Sequence, residues 1–336
     1  MFMSKKMKRI AMGLTAVIAA GMIAGCGGGD KPAGNGAAGK QVKVGIVQLV
    51  EHNALDAANK GFVEGMKKRG YEEGKNVTYD RQNAQADQSN LQNIAQRFIN
   101  NKSNLIYAIA TPAAQTVANQ TKDIPIVGSA ITDYESAKLV KSNSKPGGNV
   151  TGTSDMNPIK EQVDLLMKLV PTAKTIGCIY CSSEVNSEIQ VKAMKAYAES
   201  KGLKVETATI STVNDIQQAA QSLVGKVDAF YEPTDNIIAS AMPTLASITD
   251  PAKKPVICGE PNMVKAGGLA TYGIDYYKLG VQSGDMAADI LDGKKKPADM
   301  PIQTAKELKV TINKKNADAL GVKIPEDVMK GAEVAK

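Results

Sequence analysis

Residues 41–70 read QVKVGIVQLVEHNALDAANKGFVEGMKKRG, and the unit they encode recurs along the chain. Val42 to Val47 is β-branched and mostly apolar, which suits a strand buried on both faces. Leu55, Ala58, Phe62 and Met66 then fall at helical spacing, and Gly70 stops that helix. The same alternation continues outward. Val77 to Tyr79 is a short strand. Asp87 is an N-cap for a helix whose apolar face is Leu91, Ile94, Ala95, Phe98 and Ile99. Leu105 to Ala110 is a buried strand, Thr111-Pro112 opens a helix, and Ile124 to Val127 is the next strand.

A Gly-rich break, Lys145-Pro146-Gly147-Gly148-Asn149, precedes Val150 to Ser154. The alternation then restarts, with helices over 159–170, 186–201, 214–224, 236–248 and 276–292. Strands cover 175–180, 203–209, 227–231, 255–258 and 269–272. Alternating strands and helices of this length predict an α/β protein with parallel sheets covered on both faces. The break near 150 divides it into two similar lobes. No internal sequence repeat accompanies that expected symmetry.

The first 40 residues carry different information. Met1 to Arg9 is basic, and Ile10 to Ile23 is apolar but short of the roughly 20 residues that span a bilayer. These are the charged and apolar regions of an export signal, residues 1–25. Ile23-Ala24-Gly25-Cys26 resembles a bacterial lipobox, implying cleavage before Cys26 and lipid on that residue. Residues 26–40 are poor in apolar bulk and read as a flexible tether. The expected location is extracytoplasmic, anchored to the cell membrane by Cys26. Lys5, Lys6, Lys8 and Arg9 supply four of the seven net positive charges, so the basic balance is a weak argument for an anionic partner. Trp is absent, and Arg9, Arg69, Arg81 and Arg97 are the only arginines. Clustered cations with interleaved aromatics are missing, which argues against nucleic acid.

Ligands of parallel sheets bind beyond the carboxyl ends of the strands. The segments there are polar: Gln48 to His52 with Glu51 among them, Thr111-Pro112-Ala113, Thr132-Asp133, Ser182-Ser183-Glu184, Asp235-Asn236 and Asp275. Any one of them is equally a helix cap or turn. Together they describe a cleft. No arginine follows a cleft strand, so a carboxylate would be held by helix N-termini, at Thr111-Pro112-Ala113-Ala114 and at Ser182-Ser183. Asp235 is the first choice for an ammonium and Asp275 the second, with Glu51 and Glu184 as further acceptors. Tyr134 is a candidate wall for an apolar side chain. Without Trp, a stacked sandwich around a sugar is harder to build, which favours an amino acid.

His52 sits near Glu51 and Asp56, yet no Gly-x-Ser-x-Gly elbow accompanies it, so it reads as a hydrogen-bond donor and the chain as no enzyme. Cys178 and Cys181 form a C-x-x-C at a strand rather than at a helix start, which disfavours redox chemistry. A second such pair is missing, so no zinc site and no cofactor are expected. A disulfide involving Cys258 stays open. Lys294 to Lys296 and Lys314-Lys315 form a solvated face, open also to a membrane partner.

Six stretches carry a family resemblance: GIVQLVEHNALDAANKGF, YEEGKNVTYDRQNAQADQSNLQNIAQRF, IATPAAQ, KPGGNVTGTSD, PTDNIIASAM and LATYGIDYYKLGVQSG. The chain from about 41 to 325 resembles bacterial ABC-transporter substrate-binding lipoproteins of the tryptophan/tyrosine type. The resemblance implies a two-lobed periplasmic-binding-protein fold of type I, each lobe a mostly parallel sheet flanked by helices, with the ligand cleft between them. It implies a monomer that closes around an aromatic amino acid and delivers it to a membrane permease. Lobe one is expected over 41–152 plus about 276–292, and lobe two over 153–275 plus about 300–336. Cys178, Cys181 and Gly259-Glu260-Pro261-Asn262 depart from the family pattern. A sugar or nucleoside receptor, a surface adhesin and an extracytoplasmic enzyme are the rival readings.

Overall fold

A computed structural model describes residues 41–335. The lipidation site expected at Cys26 and the tether lie outside the described residues.

The first sheet is built by β1 (Val42–Gln48), β2 (Val77–Asn83), β3 (Leu105–Ile109), β4 (Ile126–Ile131) and β5 (Val150–Ser154). Their spatial order is β5-β4-β3-β1-β2, all parallel. Helices α1 (Asn53–Lys68), α2 (Gln88–Asn100) and α3 (Thr111–Gln120) make the crossovers. Every residue of β3, β4 and β5 is buried, as strands covered on both faces must be.

After β5 the chain enters α4 (Ile159–Leu169) and builds a second sheet. Its parallel strands are β6 (Thr175–Cys181), β7 (Lys204–Ile210), β8 (Ala229–Glu232), β9 (Val256–Cys258) and β10 (Ala270–Ile274). The order β10-β9-β8-β6-β7 repeats the winding of the first sheet. Between them run α5 (Val185–Ser200), α6 (Ile216–Val224), α7 (Asn236–Ser240), α8 (Met242–Thr249) and α9 (Pro261–Lys265). The single helix expected over 236–248 is two helices broken at Ala241, just before the Pro243 turn.

From β10 the chain returns to the first lobe as α10 (Tyr276–Leu291) and adds β11 (Gln303–Thr304) beside β5. It then crosses a third time, to β12 (Leu308–Ile312), antiparallel to β10, followed by α11 (Lys314–Leu320), α12 (Glu326–Met329) and β13 (Glu333–Val334). The second lobe was expected to resume at about 300. The two-residue β11 keeps 303–304 on the first sheet, and the return falls after it.

α10 docks against α1 on matching glycine faces. A methyl group at Gly61 would overlap the Tyr277 carbonyl, one at Gly65 the Val281 carbonyl, and one at Gly280 the Ala58 carbonyl. The helices therefore meet backbone to backbone, closer than side chains allow. Beneath them Phe62 stacks on Tyr107, ring centroids 3.8 Å apart. Cys178, Cys181 and Cys258 are buried free thiols; Cys178 belongs to the core on one face of the second sheet, Cys181 and Cys258 to the other.

Gly280→Ala should lower unfolding stability by about 1–3 kcal/mol, because a packed backbone contact has no room for a methyl. Gly225→Ala, at the end of α6 with nothing within 4 Å of its new methyl, should stay within about 0.5 kcal/mol of the parent. Urea titrations of the two variants check this; equal midpoints would refute the tight crossing.

Candidate functional site

The carboxyl ends of the two sheets face each other. Between them lies a small cavity that, with the lobes this close, has room for little more than one water molecule. Its first-lobe wall is the start of α1, with His52, Ala54 and Leu55, together with Ala130 at the end of β4. Its second-lobe wall is Thr234, Asp235, Asn236 and Ala239 around α7, with Glu260 before α9. Asp155 and Tyr276 close it at two of the chain crossings. Larger surface depressions exist, one of which brings Pro112 of the first lobe and Ser183 of the second together.

Two hydrogen bonds join the lobes across the cleft. His52 Nε2 lies 3.2 Å from Asn236 Oδ1, and Gln190 Nε2 donates to Thr132 Oγ1 over 3.2 Å. Burial lowers the His52 pKa, so the neutral ring donates from Nε2. Gln190 also donates to Thr234 Oγ1 at 2.6 Å, which fixes its amide. The lobes are in contact and the cleft is shut.

The buried charges of the described residues are one-sided. Asp155, Glu184, Glu232, Asp235 and Glu260 are all buried, and no lysine or arginine is. Four of the five are bound to their own lobe. Asp235 accepts from Cys181 N and Ser187 Oγ, each at 2.7 Å, and from Ile237 N and Ile238 N, each at 3.0 Å. Its lone pairs are full, and it caps α7. Glu184 accepts from Asn186 Nδ2 at 2.8 Å, from Asn236 N and Nδ2, and from Ile237 N at 3.3 Å. Burial first, and then the Asp235 charge, push its pKa up to about 8. Glu260 caps α9 through Asn262 N and Met263 N, each at 2.7 Å, and burial pushes it to about 7. Glu232 receives Ile179 N inside the sheet, and burial holds it well above the usual carboxylate range.

Asp155 differs. Its Oδ2 accepts from Tyr276 Oη at 2.6 Å. Its Oδ1 is buried with no hydrogen-bond partner. Burial pushes its pKa up to about 6, offset in part by the Tyr276 and Thr132 hydroxyls, although no bond of normal geometry reaches Oδ1 from Thr132.

The remaining sequence candidates fall in several places. Thr111 is buried in the first turn of α3, and its Oγ1 has no partner. The sheet order puts that turn between the ends of β1 and β4. Pro112, Ala113 and Ala114 follow it, but the Ala114 N–H is spent on the Ala110 carbonyl at 3.1 Å, which corrects its assignment as a free donor. Gln48 is bound within its own lobe, to the Val50 carbonyl at 2.9 Å and Asp56 Oδ1 at 2.7 Å. Glu51 is exposed. Asp133 caps a turn at Ser136 N, and Asp275 caps α10 at Lys278 N. Ser182 and Ser183 are exposed, and the Ser182 N–H is taken by the Ile210 carbonyl at 3.0 Å. Tyr134 is no wall: it is fully buried under the first sheet, where its hydroxyl donates to the Thr153 carbonyl at 3.1 Å.

Sequence reasoning missed Asp155, Tyr276 and Ala130. Asp155 ends the stretch KPGGNVTGTSD, directly after the buried β5, and that position was its only signal. Ala130 has φ +55° and Ala110, before α3, has φ +85°. Left-handed backbone at non-glycine residues costs about 1–3 kcal/mol and collects at functional sites. Here both lie at strand ends beside the junction.

Residues 43–336 match the family described as ABC transporter substrate binding protein. The chain is 44% identical over 326 residues to a tyrosine-binding protein of Clostridioides difficile, covering 95% of this chain and 93% of that one. Among solved structures, it is 44% identical to an ABC domain from Streptococcus pneumoniae in complex with L-Trp, with TM-score 0.85 over 88% of this chain and all of the other. It is 45% identical to a ligand-free, open substrate-binding protein with adhesive properties from Clostridium difficile, with TM-score 0.68 over 88% of this chain and 99% of that one. Near-equal identity with unequal TM-scores matches the shut cleft: the lobes stand closer to the liganded arrangement than to the open one. With these relatives, this two-lobed winding and this closed junction, the chain belongs to the ABC transporter substrate-binding protein family.

Proposed function

We propose that this protein is the extracytoplasmic receptor of an importer for an aromatic α-amino acid, lipid-anchored through Cys26 and handing its solute to a membrane permease. The junction between the lobes carries the reading: three buried acids, Asp155, Asp235 and Glu260, line its cavity, and no lysine or arginine is buried among the described residues. Such a site favours a solute bearing a positive charge. The tyrosine and tryptophan of the two 44% identical relatives give the side-chain class. The solute's carboxylate would meet the first turn of α3, where the unpartnered Thr111 Oγ1 and the N–H groups of Thr111 and Ala113 supply donors next to the dipole's positive end. Closure follows from contacts made with both lobes at once, relayed through three crossings that act as the hinge.

A thermal-unfolding panel on protein stripped of carried solute tests the substrate. L-Tyr, L-Trp or L-Phe at about 100 times its dissociation constant should add about 2.7 kcal/mol of stability. A shift with a sugar or nucleoside and none with any amino acid would replace the substrate. Cys26→Ser should release the protein from the membrane fraction while leaving binding intact; a variant that stays membrane-bound would remove the anchor.

The buried acids give the ligand-free protein a pH signature. Glu184, Glu260 and Asp155, raised to about 8, 7 and 6, bind protons in the folded state that the unfolded chain releases near its ordinary carboxylate values. Their contribution is complete at pH ~4.5 and is lost as pH rises toward 8. Exposed carboxylates with lowered pKa, such as Glu73 beside Arg81, act in the opposite sense and below that window. Melting temperature should therefore decline from pH 5 to 8, and Glu184→Gln should flatten the upper part of the slope. A parallel slope in the variant would exclude Glu184 as its source.

A further inference from the structure

Asp155 is the one buried acid at the junction with a carboxylate oxygen left over. Three acids line the cavity. Asp235 accepts four hydrogen bonds, from two backbone amides in α7, from Cys181 N and from the Ser187 hydroxyl. Glu260 accepts three, from Asn262 N, Asn262 Nδ2 and Met263 N. Asp155 accepts one, from Tyr276 Oη at 2.6 Å, and its Oδ1 is buried and bare. A buried carboxylate oxygen without a donor is costly, more so when charged, and asks for a partner from outside the protein. No lysine or arginine is buried among the described residues, so the protein does not supply that donor itself.

Position adds a second argument. Asp155 is the first residue after β5, where the chain first leaves the first lobe. Tyr276 is the first residue of α10, where the chain returns. Their hydrogen bond ties two of the chain crossings together beside the cavity. Tyr276 itself is buried, so its hydroxyl holds Asp155 Oδ2 in place, and Oδ1 is the free oxygen of a carboxylate that lines the cavity.

Resting on the reading of this site as an amino-acid receptor, we propose that Asp155 receives the α-ammonium of the bound solute through Oδ1, and that Tyr276 is its positioning residue. The site would then select solutes that carry an ammonium and reject the same side chain without one. Reading the charge at the hinge also ties recognition to closure, because the carboxylate is held between two crossings.

Asp155 must be ionised to act. The titratable groups facing it are Tyr276 from α10, Tyr134 from beneath the first sheet, His52 from the start of α1, Asp235 from α7 and Glu260 from α9. None is a fixed cation. Burial holds Asp155 at about 6, so solute affinity should fall about tenfold per pH unit below that value.

Isothermal titration of the full chain, stripped by unfolding and refolding, decides the matter. The probes are L-tyrosine, L-tryptophan and 3-(4-hydroxyphenyl)propionate, which lacks the ammonium. Wild type should bind the amino acids at least about thirtyfold more tightly than the propionate. Asp155→Asn should weaken the amino acids by a similar factor, leave the propionate nearly unchanged, and abolish the acid limb of the pH profile. Tyr276→Phe should keep the limb but move its midpoint to higher pH, since the hydroxyl that stabilises the ionised carboxylate is gone; a purely structural role would change affinity without moving that midpoint. Wild type binding the propionate within threefold of L-tyrosine overturns the proposal, even if Asp155→Asn fails to fold. So does an Asp155→Asn protein that binds L-tyrosine like wild type. If wild type binds none of the amino acids, the receptor reading itself is wrong and the proposal goes with it.

Discussion

The backbone contact between α1 and α10 fixes where the hinge can be. α10 follows the last parallel strand of the second lobe, yet its glycines lie against the carbonyls of α1 in the first. A helix held that closely cannot slide with the second lobe when the cleft opens. Motion must then be taken up in the short links on either side, at 155–158, at Asp275 and at 305–307. The cavity sits where those links pass. Each solute contact that spans the junction therefore acts on segments whose other ends are anchored by close packing.

The acids of the junction follow from the architecture before they follow from any solute. Parallel strands feed helices whose first N–H groups point into the cleft, and those groups need acceptors. Asp235 and Glu260 meet that need for α7 and α9 as their N-caps, and Glu184, itself before α5, adds its oxygens to α7. The electronegative character of the cleft is thus largely a by-product of capping. Of the acids lining the cavity, Asp155 alone does not cap a helix, because the residues after β5 form a crossing rather than a crossover helix. A site for a cation needs only that one exception.

This explains what could be read from the residues and what could not. Strand and helix order was legible because buried β-branched runs and helical stripes such as Leu55–Ala58–Phe62–Met66 leave periodic traces. Strands of two residues leave none, and β11 moved the third crossing past the expected 300. At the site, sequence placed Asp235 and Asn236 at the right strand end but could not count the donors aimed at Asp235. It also named Tyr134 and left Tyr276 unmentioned. Both follow a strand, and only the turn after β4, with Ala130 in left-handed backbone and Tyr134 folded under Gly128 and Gly152, sends the first ring into the core. Saturation of lone pairs and the fate of a ring are tertiary facts.

Closure itself is finely balanced. The direct bonds between the cleft faces are His52 to Asn236 and Gln190 to Thr132. Each is worth about 1 kcal/mol net, since open lobes would give the same groups to water. Against this, closing brings Asp155 and Glu184 toward an environment that disfavours their charge. Shifting an equilibrium from mostly open to mostly closed takes about 5.5 kcal/mol of differential binding, more than those two bonds supply. A solute that neutralises a buried carboxylate while touching both walls supplies it in one step. The same residues that make the empty closed state costly therefore make the filled one favourable, and this difference gives a permease two states to tell apart.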